Sequence, residues 1–158
     1  MSDVAKSKEL LKRYSIARIP FIAINTIERA RTLDILKEIS EELTLPFYVH
    51  TLSKGLYDLT TEKSINDDKS VYGAIDFMSE QMKRKQYMTL VLPEVPDISG
   101  DNGDSRQILD LVTLANESGG VVIVLTNNAV WNQLQRLGMV IKIDLPNEDE
   151  MYSIIKEY

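Results

Sequence analysis

The chain contains no cysteine and a single histidine, His50, in 158 residues. Neither a disulfide framework nor a thiolate metal site can form, and zinc or iron–sulfur chemistry has no ligand set. Long apolar runs are missing too. None reaches the ~18 residues of a membrane span, and "MSDVAKSKELLKRY" lacks the apolar core of a signal peptide. A cytoplasmic chain without a membrane partner is expected. Positive charge is scarce in the second half: residues 94–158 hold 4 Lys/Arg against 11 Asp/Glu, whereas residues 1–93 hold 14 against 13. Nucleic-acid binding is built largely from cationic contacts to phosphate, so no nucleic-acid partner is expected.

What remains is ordinary for a folded domain: 44% apolar and 27% charged residues, with enough length for one core. Short apolar runs alternate with amphipathic ones. "IPFIAIN", "PFYVHTL", "YMTLVLP", "VVIVLTN" and "MVIKIDL" read as strands buried on both faces. "TIERARTLDILKEISEEL", "SVYGAIDFMSEQMKRK", "DSRQILDLVTLANESGG", "AVWNQLQRLG" and "NEDEMYSIIKEY" read as the helices that follow each strand. Asn25 with Glu28, and Asn147 with Glu150, are spaced as capping boxes. Asp104 is placed to cap its helix, and Gly119-Gly120 to stop it. A further amphipathic helix is expected over about residues 4–17, and "YDLTTEKSINDDK" reads as a loop.

This pattern predicts an α/β fold: a three-layer sandwich around a five-stranded, mainly parallel sheet. Ligands of such sheets gather beyond the carboxyl ends of the strands. That edge should carry Asn25-Thr26, Thr51–Lys54, Glu94–Asp104, Thr126–Asn128 and Asp144–Glu150. A phosphate cradle there needs the glycines, lysine and hydroxyl of G-x-x-x-x-G-K-[ST]. The turn "INTIERAR" has neither glycine nor lysine. A magnesium-holding strand end needs an aspartate, yet Pro93 stands there, and Glu94 reads as an exposed loop acid.

The five-unit order, the "LPE" and "LTNN" strand ends and "DLPNEDEMYSII" resemble the core of an AAA+ ATPase. More closely, "ARIPFIAINTIERARTLDILKEI", "PFYVHTLSKGL", "YMTLVLPEV" and "GGVVIVLTN" resemble the N-terminal, P-loop-lacking region of AAA ATPases of the chloroplast-reading-frame, cyanobacterial type. The resemblance covers about residues 10–158. It implies the AAA+/RecA-like strand order 5-1-4-3-2 and one degenerate AAA+-like domain over residues 1–158, the N-terminal part of a longer ATPase. It also implies a non-catalytic role in assembly, regulation or recruitment of substrates and partners. No catalytic, cofactor or metal residue is then expected in this segment, and ATP and magnesium would belong to a downstream module. The partners implied are that module and other protein subunits, in an oligomer of the full-length protein.

Other groups weigh less. "DISGDNGD" resembles part of a calcium loop, but Ile108 stands where the bidentate acid belongs. His50 reads as a core or strand-edge histidine, Lys83-Arg84-Lys85 as a solvated helix end, and Trp131 as a packing residue. Two readings of "TIERAR" stay open: a cap with a solvated helix face, or a docking edge built from Glu28, Arg29 and Arg31. Two alternative functions stay open as well. One is a nucleotide-binding domain with an atypical phosphate turn. The other is a stand-alone receiver-like signalling domain, which needs an acidic pair after strand one and an aspartate ending strand three.

Overall fold

The computed structural model describes residues 3–85 and 87–143. The last expected helix, with its Asn147–Glu150 capping box, lies outside the described residues. Twelve elements follow in order: α1 (Asp3–Ile16), β1 (Phe21–Asn25), α2 (Arg29–Leu43), β2 (Phe47–Thr51), β3 (Gly55–Asp58), β4 (Ser64–Asn66), α3 (Val71–Arg84), β5 (Thr89–Leu92), α4 (Gly103–Ser118), β6 (Val121–Thr126), α5 (Asn132–Gln135) and β7 (Gly138–Lys142).

Alternation along the strands divides the apolar residues between two cores. Phe21, Ala23, Leu90, Leu92, Val122 and Val124 pack with Ile75, Met78, Met82, Ile108, Leu111 and Val112 of α3 and α4. Their neighbours Ile22, Ile24, Val91, Val121, Ile123 and Leu125 pack on the other face with Leu11 of α1 and with Ile35, Leu36 and Ile39 of α2. Side chains of period two on a sheet covered twice therefore make three layers. β1 lies inside the sheet, parallel to β6 on one side and to β7 on the other. The β1–β7 approach is close enough that a Cβ on Gly138 would collide with the Phe21 carbonyl.

Several expectations need correction. The sheet is mixed and holds seven strands among the described residues, in the order β4-β3-β2-β5-β6-β1-β7. It is therefore neither five-stranded nor, taken whole, ordered 5-1-4-3-2. The parallel run is β2-β5-β6-β1-β7, and β3 and β4 add an antiparallel extension beyond β2. The segment expected as a loop supplies that extension. Asp58 Oδ1 accepts from the N–H groups of Thr60 at 2.9 Å and Thr61 at 3.2 Å, which folds the chain back on itself. Buried Leu56, Tyr57 and Leu59 tie the extension to the core. β4 is an edge strand with Ser64 and Ile65 exposed, so its polar sequence carries no core signal.

Two caps also differ. α4 is capped by Asn102, whose side chain accepts from Ser105 N–H at 2.7 Å, and Asp104 lies inside its first turn. α2 begins at Arg29 with Glu28 in the capping position and no side-chain cap bond from it. Asn25 cannot serve that helix, because it is the last paired residue of β1.

Candidate functional site

Thr26, Ile27 and Glu28 are the whole connection between β1 and α2. Thr26 N–H continues the sheet by donating to the Thr126 carbonyl at 3.0 Å. Its buried hydroxyl then accepts from Glu28 N–H at 3.1 Å and lies 3.3 Å from the Thr32 hydroxyl. Thr32 Oγ1 also lies 2.7 Å from the Glu28 carbonyl, to which it donates. The turn is thus closed on itself by two threonines six residues apart.

Beside this turn lies a cleft of ≈ 400 Å³, lined by Thr26, Ile27 and Arg29 on one side and by Val95, Leu125, Thr126, Asn127 and Asn128 on the other. It sits where the parallel sheet's carboxyl ends meet the start of a helix, the position at which α/β sheets gather ligands. Asn128 N–H donates to Thr126 Oγ1 at 3.1 Å, which curls the end of β6 round the cleft. Ile27 stands 69% exposed at its rim.

The three residues expected at a docking edge are all in this region, in different states. Arg31 NH1 lies 3.7 Å from Glu28 Oε2, a half-exposed pair one turn apart. Such a pair contributes ~0–1 kcal/mol. Arg29 is exposed, lines the cleft and forms no ion pair among the described residues. It is the one cation among the described residues that line the cleft.

A spacing within the turn escaped the sequence reading. "NTIERART" puts Arg31 and Thr32 in register with the lysine and hydroxyl residue of G-x-x-x-x-G-K-[ST], with Asn25 and Ala30 in the glycine positions. Because α2 starts at Arg29, that hydroxyl belongs to the fourth helical residue and bonds backwards to the Glu28 carbonyl. Arg31 is engaged with the same residue. The Thr26–Thr32 contact was hidden for a different reason: two hydroxyls six residues apart meet only because a short turn precedes the helix.

Glu94 follows the end of β5 by two residues. Its Oε1 accepts from Leu52 N–H at 2.9 Å and so fixes the β2–β3 connection. Nearby, Lys54 Nζ lies 5.0 Å from the centre of the Tyr57 ring. Burial, with the charges of Glu62 and Glu94 adding to it, pushes the Tyr57 phenol above its ordinary range.

The remaining candidates have structural partners. His50 is buried, with Nε2 at 3.0 Å from the Asp68 carbonyl. In "DISGDNGD", Asp97 Oδ1 accepts from Ser99 N–H at 3.0 Å and from its hydroxyl at 2.6 Å, and Asp101 forms a two-point pair with Arg106 at 2.8 and 3.0 Å. Among the described residues no three His, Cys, Asp or Glu side chains are grouped so that they could hold a metal ion. Trp131 packs, partly buried, against the core on the α3–α4 face.

Residues 7–143 match the family model described as "SpoVK-like AAA ATPase, N-terminal domain". The chain belongs to that family. The match spans α1 through β7, so the turn, the cleft and the β3–β4 extension all lie within the SpoVK-like N-terminal domain. Among solved structures, a chain in the E. coli MS115-1 HORMA:CdnC:Trip13 complex shares the fold, with a TM-score of 0.58 at 14% identity. The alignment covers 95% of this chain and 55% of that one. No curated protein matches the sequence. No helix among the described residues is long and apolar enough to cross a membrane.

Proposed function

We propose that this SpoVK-like N-terminal domain is a non-catalytic, P-loop-lacking part of a longer AAA ATPase, acting in assembly, regulation or recruitment of partners. It engages its own downstream ATPase module or other protein subunits through the carboxyl edge of the sheet. Glu28, Arg29 and Arg31 supply the charges at that contact, and ATP and magnesium are handled in the downstream module of a cytoplasmic oligomer. Kinship with the chloroplast-reading-frame, cyanobacterial type rests on the quoted strand and turn sequences.

The observation that carries the proposal is the closed first turn beside an unpaired Arg29. A phosphate cradle gathers several free N–H groups around an anion. Here Glu28 N–H is already bonded to Thr26 Oγ1, and the hydroxyl in the magnesium-binding register is bonded to a carbonyl. Arg29, in contrast, is free to meet a carboxylate in the two-point geometry that guanidinium favours. The structural neighbour comes from a multi-protein complex, which agrees with a partner-binding role by analogy of fold.

A second reading, a nucleotide-binding domain with an atypical turn, draws support from the cleft's position and its arginine. Calorimetric titration of Mg-ATP into the chain separates the two. The proposal expects no saturable heat at submillimolar nucleotide. A saturable isotherm lost in Arg29→Ala establishes the second reading instead.

A further inference from the structure

The opposite edge of the sheet carries a second feature that the carboxyl-edge proposal does not use. α1, α3 and α4 all end there, at Ile16, Arg84 and Ser118. Three residues in left-handed backbone meet at that edge: Arg18 (φ 56), Tyr87 (φ 65) and Gly119 (φ 72). Arg18 Nε donates to the Gly119 carbonyl at 2.6 Å, and its guanidinium carbon lies 5.5 Å from the centre of the Tyr87 ring. Tyr87 N–H donates to the Ser118 carbonyl at 3.2 Å. The ring is held so near Gly119 that a Cβ there would come within 2.8 Å of it. A cleft of ≈ 390 Å³ adjoins this cluster, lined by Met82, Lys83, Arg84, Lys85, Leu114, Glu117 and Ser118.

Helix-end dipoles account for Lys83 and Arg84, since cations suit the last turn of α3. They do not account for the tyrosine. A bulky residue at positive φ costs free energy, and such outliers persist where surrounding contacts fix them for a purpose. Here the contacts fix a ring that stays 61% exposed. The ring rests on a cation whose own charge is disfavoured by burial. Around it Lys83 is engaged by Glu80 at 3.3 Å, while Arg84 and Lys85 form no ion pair among the described residues. Tyrosine and arginine are the residue types enriched at interface anchors.

We propose that this amino edge is a docking surface for a short acidic segment of a partner protein. Carboxylates of that segment pair with Arg84 and Lys85 while an apolar side chain lies on the Tyr87 ring. The charge pattern selects a peptide over a nucleic acid. The chain carries net charge -6, and Glu117 lines the cleft itself. A polyanion tracking several phosphates would meet repulsion that a segment with a few carboxylates avoids. The surface is distinct from the edge that holds Arg29, so either proposal can fail without the other.

The test is an NMR titration of the full chain with an acetylated, amidated Glu-Glu-Leu-Glu-Glu-Leu peptide, alongside its lysine-for-glutamate counterpart and a short single-stranded DNA. The acidic peptide should shift the amides of Arg18, Lys83–Lys85, Tyr87 and Gly119, and the other two probes should not. Charge reversal by Arg84→Glu with Lys85→Glu, both exposed, should weaken binding about tenfold or more, equivalent to about 1.4 kcal/mol. Tyr87→Asn keeps a residue that tolerates left-handed backbone and should also weaken binding, with an unchanged spectrum elsewhere showing that the fold persists. Absence of shifts at millimolar peptide, shifts confined to other surfaces, preference for the DNA, or an unaffected charge-reversed variant would each overturn the proposal.

Discussion

Glu94 Oε1 accepts a hydrogen bond from Leu52 N–H at 2.9 Å, so the one acid left at the end of β5 serves as a clasp for the β2–β3 connection. Replacing Glu94 by Ala removes the acceptor and should lower stability by about 1 kcal/mol, the net worth of such a bond. Glu94→Gln keeps an acceptor oxygen and should lie close to the parent. Chemical denaturation of both variants checks this, and equal loss in the two would show that the charge, not the bond, matters.

Thr32 is buried and its hydroxyl bonds to both Glu28 O and Thr26 Oγ1. Thr32→Val keeps the shape but strips the donor, leaving the Thr26 hydroxyl short of a partner. A loss of ~1–2 kcal/mol is expected, with Thr32→Ser recovering most of it. Thermal melts of the three proteins decide whether the hydroxyl or only the methyl group is needed.

Much of this fold could be read from the residues because the central strands are continuously apolar. "FIAIN" and "VVIVLT" could hardly belong anywhere but between two helical layers. The β3–β4 extension was not legible for the converse reason. Its edge strand is polar, and the pairing depends on the Asp58 side chain turning the chain, a signal lost among neighbouring acids and threonines. The capping box of α2 failed because Asn25 has two possible employments and the sheet takes it. At the site, "TIERAR" marked the right edge of the sheet. The sequence could not show that Arg31 is engaged by Glu28 while Arg29 stands free in a cleft. Arg18 and Tyr87, far apart in sequence, meet only because the connection after α1 and the connection after α3 both bond to the end of α4.

Gly138 begins β7 where the strand presses on β1, and a Cβ there would strike the Phe21 carbonyl. Backbone atoms of a central strand cannot swing aside as a side chain can. Gly138→Ala should therefore cost ~2–3 kcal/mol, the upper range for overpacking. Hydrogen exchange should show the loss first at the β1–β7 pairing.

The attachment of α1 to α2 should weaken at both extremes of pH. Lys8 reaches Glu42 at 2.8 Å and Glu38 at 3.0 Å, and Lys12 reaches Glu42 at 3.1 Å. Hydrogen bonds from Lys8 and then Lys12 hold the Glu42 carboxyl below its ordinary range. Its contribution is therefore complete above the unfolded carboxyl's pKa and disappears as pH falls through the lower folded value. Bonds to Glu42 and then Glu38 raise the Lys8 ammonium, whose share is complete below the unfolded lysine's pKa and lost as pH rises through the folded one. Local opening of α1, followed by amide exchange relative to β1, should increase in acid and in strong base. Glu42→Gln should flatten the acid limb.

The central claim is that the carboxyl edge of the sheet meets a protein surface through its arginines. The most direct measurement is the assembly state of the full-length ATPase, by sedimentation velocity, in the parent and in Arg29→Glu with Arg31→Glu. Because exposed charges contribute only ~0–1 kcal/mol to folding, the account predicts an intact domain with weakened assembly and altered ATPase activity. A double variant that assembles and hydrolyses ATP like the parent would contradict it, and would leave the turn as a helix start with a solvated face.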